Sequence, residues 1–407
     1  MNTRTRLLLM LALLGTLCSA GGCRDRVEIS ELGIVSALGI DLAPEPGMYE
    51  VTAQVVRPSG VGTVNAASGG RPFAVVTTTG NSVFDAVRKA TTISSRRLFF
   101  SHDRVVIIGR TLAERGVYPV IDLLVRDEEF RPDLQLLVAT GKAKDVIYSV
   151  TEFERVPGVG LAKLLNASMA TSSIGLSKLQ HFRRSLASLP GLQPVASLVD
   201  SVTAASVGDD RSFVGSKVSP EQGSVPERIL RLVGTAIFLD DRMVGTLDLT
   251  ESRGYRWVVG EVDSGIVNIR MPESGQLVDL EIVATKSNIK VEMDGDTPKV
   301  SVLLQASAQI GSQEGDDNLT SIESLEQVEA QYAAAVQHEV AAAIAKAQQQ
   351  QTDIFGFGDK LRAKQPQAWK QLKETWPETF SKLQIEIAVR THVDRYGLIG
   401  ASNHPNR

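Results

Sequence analysis

Both cysteines of this chain, Cys18 and Cys23, fall at its very start, and that placement limits how the remainder can be held together. Arg4 and Arg6 make a positive opening, residues 7–17 are almost unbroken apolar, and Ala20-Gly21-Gly22-Cys23 sets small side chains before a thiol. That is the pattern of a bacterial leader cleaved ahead of an acylated cysteine. The glycines let the backbone lie extended in a peptidase, and the sulfur carries the diacylglycerol. Cys23 is therefore the expected lipidation site and residues 1–22 the expected signal peptide. Leu17 is too bulky for the same cut before Cys18, and the apolar run falls short of the ~20 residues of an uncleaved anchor. A chain starting at Cys23 has no internal disulfide and no cysteine nucleophile. Apolar burial alone must stabilise it, and its length allows more than one core.

The charge balance narrows the partners. The chain carries 43 basic and 47 acidic residues for a net charge of −4, which becomes −6 once Arg4 and Arg6 leave with the leader. A nucleic-acid partner is not expected, nor a broad basic face held to anionic lipid. Membrane attachment is expected through the acyl chains at Cys23, several of which hold firmly where one holds marginally.

Along the chain, strands are expected at 33–41 and 49–57 around the Ala43-Pro44-Glu45-Pro46-Gly47 turn, then at 73–79, 104–108 and 134–140. Ser82 with Asp85 opens a helix, Thr111 with Glu114 fits a capping box, and Pro119 suits the first turn of the next helix. Helices at 145–154, 161–169 and 176–187 and a strand at 195–204 follow. The stretch 207–226, rich in Gly, Ser, Asp and Pro, reads as a linker. Beyond it, hairpin strands at 234–239 and 243–249 flank Asp240-Asp241, with more strands at 266–271, 277–286, 289–293 and 299–308. Thr320 with Glu323 caps a long helix whose Ile322, Leu325, Val328, Tyr332, Val336, Val340 and Ile344 form one stripe. The stripe covers its own sheet or docks on a partner. Short helices at 355–363 and 367–373 and a strand at 383–393 complete the pattern. The expected fold is α+β and multi-domain, with mixed and antiparallel sheets and helices packed on one face. The expected divisions are an N-terminal α+β domain at 23–145, a middle unit at 146–206, the linker, and a C-terminal antiparallel sheet with helices at 227–400.

Catalytic patterns fail. Gly-x-Ser-x-Gly and the phosphate-binding Gly-x-x-x-x-Gly-Lys loop do not occur. Gly158-Val159-Gly160 and Gly356-Phe357-Gly358 lack the third glycine of a dinucleotide fingerprint and read as turns. His102, His181, His338, His392 and His404 are dispersed, without the spacing of metal ligands on one helix face. The pairs Asp240-Asp241 and Asp316-Asp317 sit in turns rather than across a cleft, so they read as solvated acids. No enzyme, cofactor or metal is expected.

Three stretches resemble one family. Cys23-Arg24-Asp25-Arg26-Val27-Glu28-Ile29-Ser30-Glu31-Leu32-Gly33-Ile34-Val35, followed by Gly39-Ile40-Asp41, resembles the start of the spore germination receptor C-subunit lipoproteins, the Ger(x)C family. Gly234-Thr235-Ala236-Ile237-Phe238 through Val244-Gly245 and Glu251-Ser252-Arg253-Gly254 are similar to its middle. Thr352-Asp353-Ile354-Phe355-Gly356-Phe357-Gly358 with Pro366, Trp369, Trp376 and Arg395-Tyr396-Gly397-Leu398-Ile399 is similar to its C-terminal signature. Arg24 departs from the family's usual Trp, an interfacial residue, and leaves the lipidation site intact. The resemblance implies a three-domain α+β lipoprotein on the outer face of the spore inner membrane. It implies multi-spanning and transporter-like receptor subunits as partners, germination in response to nutrients, and no catalysis. The alternative is a lipoprotein that captures a small nutrient for a transporter, against which stands the lack of two α/β lobes about a hinge.

Overall fold

A computed structural model describes residues 31–57, 72–149, 156–203, 228–315 and 321–395, with isolated positions elsewhere. Cys23, His404, Asp316, Asp317, Thr320 and the 207–226 linker lie outside the described residues.

The first sheet has nine strands. Strands β1 (Leu32–Leu42), β2 (Tyr49–Val56) and β3 (Phe73–Gly80) form an antiparallel meander. Helix α1 (Val83–Lys89) follows, with the Ser82 side chain accepting from the Asp85 N–H as the sequence predicts. A short β4 (Arg97–Phe99) then runs parallel to the start of β1, and β5 (Val105–Ile108) parallel to its middle. All four residues of β5 are buried. An unbroken apolar strand of this kind needs cover on both faces. Helices α2 (Arg110–Arg115) and α3 (Tyr118–Arg126) pack on one face before β6 (Gln135–Ala139) continues the parallel order. Helices α4 (Ala143–Tyr148) and α5 (Pro157–Ser168) pack on the other face, and α6 (Leu179–Ala187) returns to the first. The last strands are β7 (Val195–Thr203), parallel to β6, then β8 (Arg228–Leu239) and β9 (Arg242–Leu247), both antiparallel additions.

The sheet thus crosses the division expected at 207–226, because β8 and β9 extend the N-terminal sheet. Nine residues of β7 pair with β8, a register long enough to outweigh a turn-rich connection. The capping box at Thr111 is also overturned. Gly109 is the N-cap and Thr111 lies inside α2, since a Cβ at 109 would fall 1.9 Å from Asp41 Oδ1. Gly158-Val159-Gly160 opens α5 and is not a turn. Gly158 is there because the helix lies on β1, where a Cβ would meet Ser36 O at 2.6 Å.

Helix α7 (Leu249–Val259) links the two sheets, and it escaped the sequence reading. Its signals were present: Asp248 and Glu251 form a full capping box, and Gly260 closes the helix in the left-handed region at φ 77°. The second sheet orders β10 (Ile266–Arg270), β11 (Leu277–Asp294), β12 (Thr297–Gln313) and β13 (Ile385–Arg395). The first three are antiparallel, but β13 runs parallel to β12, so this sheet is mixed rather than antiparallel. The crossover permits it: α8 (Ile322–Gln349), α9 (Phe357–Lys364), α10 (Pro366–Leu372) and α11 (Trp376–Ser381) carry the chain back to the same end. Ser321 caps α8, its hydroxyl accepting from the Ser324 N–H. Val328, Tyr332, Val336, Val340 and Ile344 are buried in the core shared with β10–β13, and Ile322 is exposed. The stripe covers its own sheet, on one face.

Candidate functional site

Among the described residues, several that carry the family resemblance lie at joints of the molecule. Asp353, 1% exposed, is the centre of one. Its Oδ1 accepts from the backbone N–H of Phe355 (3.2 Å), Gly356 (2.9 Å) and Phe357 (3.2 Å). Its Oδ2 accepts from the Gly358 N–H (2.8 Å) and Trp376 Nε1 (3.0 Å). The carboxylate occupies the start of α9, where unpaired N–H groups favour an anion. Burial pushes its pKa up to about 6, against the lowering effect of those donors. Gly356 adopts φ 73°, and a Cβ on Gly358 would lie 2.7 Å from Gly191 Cα. Both glycines are required by geometry, one by conformation and one by close approach. Gly356 is thus a turn, as expected, while Phe357 and Gly358 already belong to α9.

The same segment ties the two sheets together. Thr352 Oγ1 donates to Phe238 O on β8 (2.7 Å), and the Gln193 N–H donates to Asp353 O (2.8 Å). The Asp359 N–H donates to Gly191 O at 3.0 Å. Phe355 and Phe357 are buried and stacked with centroids 5.3 Å apart, and Trp369 meets Trp376 edge-on at the same distance. Phe355, Phe357, Trp369 and Trp376 of this signature are core.

Glu251-Ser252-Arg253-Gly254 resolves one residue at a time. Glu251 completes the cap of α7, and the Thr235 hydroxyl donates to Ser252 Oγ at 2.8 Å. Arg253 donates to Glu339 on α8 from Nε, at 2.9 Å, and from Nη2, and Trp257 Nε1 donates to the same carboxylate at 2.9 Å. A Cβ on Gly254 would fall 2.0 Å from Glu339 O, so the helices cross at that glycine. Gly39-Ile40-Asp41 ends in a third buried acid. Asp41 accepts from the Ala143 and Lys144 N–H groups, each at 2.9 Å, and so caps α4 from a strand. Burial raises its pKa.

The dispersed acids and histidines stay apart. Asp241 is not merely solvated, since it accepts from the Tyr118 N–H at 3.2 Å and caps α3. His102, His181 and His338 are exposed, and exposed His392 sits 2.9 Å from Glu329. Among the described residues no three His, Cys, Asp or Glu side chains are grouped to hold a metal, and no helix is long and apolar enough to cross a membrane. A cleft of about 640 Å³ lies between α6, the loop ahead of β7, α7 and α9, over Phe182, Tyr255 and Phe355, with His181, Arg184 and Lys360 around it. Sequence reasoning missed it, because its walls come from segments far apart in the chain.

Two family models match in series. Residues 25–201 match the spore germination protein N-terminal domain, and residues 233–397 match the spore germination B3/GerAC-like C-terminal domain. The chain belongs to the Ger(x)C family of spore germination proteins. Spore germination protein KC of Bacillus subtilis strain 168 is 27% identical, over 93% of this chain and 92% of that protein. Spore germination protein B3 of the same strain is 24% identical, over 98% of this chain and the full length of the relative. The crystal structure of the GerBC protein aligns with 88% of this chain and 98% of its own at a TM-score of 0.54, with 18% identity, which establishes a shared α+β fold. The function lies in spore germination.

Proposed function

We propose that this Ger(x)C protein is the C subunit of a nutrient germinant receptor, lipid-anchored through Cys23 on the outer face of the spore inner membrane. It acts without catalysis, by docking its folded units on multi-spanning and transporter-like subunits. The observation that carries the reading is the use made of the family-typical residues. Asp41, Thr235, Ser252, Arg253, Asp353 and Trp376 all make contacts within the chain, at joints between elements. Residues spent on rigid joints suit a scaffold, which presents surfaces in fixed relation to one another. The tether then confines those surfaces to a thin layer above the membrane and raises their effective concentration for integral partners.

Cys23→Ala tests the anchor. The variant is expected to fold with an unchanged unfolding midpoint and to leave the membrane pellet for the soluble fraction. Tight membrane association without the thiol would contradict the reading.

The cleft beside α6 favours one other reading, a lipoprotein that captures a small nutrient, since its size lies in the range of ligand sites. A nutrient bound there at a thousandfold excess over Kd would stabilise the protein by about 4 kcal/mol. Docking without capture predicts no saturable rise in unfolding midpoint across amino acids, sugars and nucleosides.

A further inference from the structure

We infer that the anchored end of the first sheet is a second membrane contact, a basic apron that rests on an anionic phospholipid surface; this builds on the lipid-anchor reading.

The geometry begins with the tether. Eight residues separate Cys23 from Leu32, a reach of ~30 Å at most, whereas the 18 residues of β11 alone span ~60 Å. The end of the molecule where β1 starts is therefore held nearest the lipid. Cationic side chains collect on the β2–β4 side of that end, while exposed Glu31 precedes β1 and the connection into β6, whose start is level with that of β5, brings Asp127, Glu128, Glu129 and Asp133 to the β6 side. Leu32 is level with Arg97 on β4, and a Cβ on Gly33 would lie 3.6 Å from Arg96 Cβ. Val35 pairs with Val55, which brings exposed Arg57, two residues on, to the same end. Helix α1 descends from the far end of β3 and delivers Arg88 and Lys89 in its last turn.

The stretch 88–104 holds Arg88, Lys89, Arg96, Arg97 and Arg104. Its one acid, Asp103, is 5% exposed, and burial raises its pKa well above the usual carboxylate range. Lys89 is bridged to Asp85 and Arg97 to Glu129, while Arg57, Arg88 and Arg96 are exposed. Among them stands Ile93, 66% exposed, an apolar tip that suits insertion at headgroup level. The opposite end of the same hairpin carries Glu45 in its exposed loop. The net negative charge of the whole chain hid this basic cluster, because averaging over 407 residues cancels a local grouping. Attraction of a basic side chain to an anionic leaflet is worth about fivefold in partition per residue, and about a hundredfold for three.

The test uses the full lipidated chain with Ile93→Cys, labelled with an environment-sensitive fluorophore and reconstituted into vesicles. Cys23 is acylated and no other cysteine follows it, so the label reports one site. The label is expected to move into an apolar environment on phosphatidylglycerol-rich vesicles and to remain aqueous on pure phosphatidylcholine. A Glu45→Cys label is expected to remain aqueous on both. Arg57→Gln, Arg88→Gln and Arg96→Gln combined, all exposed positions, are expected to lower label insertion about a hundredfold, and salt to weaken it. A position-93 label that stays aqueous on both vesicles, with the protein still floating, overturns the apron and leaves the anchor standing. Insertion that ignores lipid charge or the triple substitution also overturns it. Protein that does not float contradicts the anchor reading and this inference together.

Discussion

Asp41 and Asp353 solve the same problem at opposite ends of the chain, and they solve it differently. Each is a buried carboxylate facing the N-terminus of a helix, where backbone donors are otherwise unpaired. Asp41 reaches across 102 residues to cap α4 with two hydrogen bonds, and the neighbouring Lys144–Glu50 ion pair at 3.2 Å is half-exposed. Asp353 gathers four N–H groups from the five residues that follow it, and a fifth donor from Trp376. One acid fastens a distant helix to a strand; the other first folds its own loop and then fastens that loop to α11. A long-range cap is one contact among many in its core, whereas the local knot has no substitute for its acceptor. The consequences of removing each should differ accordingly.

The largest effect is expected from Asp353→Ala. Five buried donors lose their acceptor, and stranded buried groups cost about 1–3 kcal/mol each before relaxation, so a loss of about 5 kcal/mol in urea unfolding is expected, at the diagnostic end of single substitutions. Asp41→Ala should cost about 2 kcal/mol, since two donors are stranded and one helix cap is lost. Equal losses at the two sites would mean that the local knot and the long-range cap are equally replaceable. Retained stability at Asp353 with loss of receptor assembly would recast the signature as a contact surface.

A smaller effect is expected with pH. The folded pKa of Asp353, pushed up to about 6, lies above its ordinary value of 3.8, so between those values the native state holds more proton than the unfolded chain. Its contribution to stability therefore falls as pH rises from about 4 to about 6 and is flat above. Asp353→Asn should remove that component of the slope, and the carboxyl carbon resonance of Asp353 should titrate with a midpoint near 6.

Much of this was legible in the sequence where local chemistry decides it. Ser82 with Asp85 named the cap of α1, the Pro-Glu-Pro-Gly turn named the first hairpin, and the stripe from Val328 to Ile344 named the buried face of α8. Errors arose where a distant partner decides. Thr111 satisfied the capping pattern, yet the close approach of Asp41 to Gly109 set the start of α2. The parallel registration of β13 with β12 depends on where a crossover of several helices lands, which no local pattern encodes. The roles of Ser252, Arg253 and Gly254 were invisible because their partners are Thr235 and Glu339. Helix α7 is the exception: Asp248, Glu251 and Gly260 spell it out locally, and yet the segment after the 243–249 strand carried no expected element.

The most direct test of the docking account is affinity purification of the full lipidated chain from spore inner membranes in mild detergent, with mass spectrometry of what accompanies it. The account predicts a multi-spanning subunit and a transporter-like subunit in fixed ratio to this chain, lost when the chain carries Cys23→Ala. Recovery of the anchored, folded chain alone would contradict it.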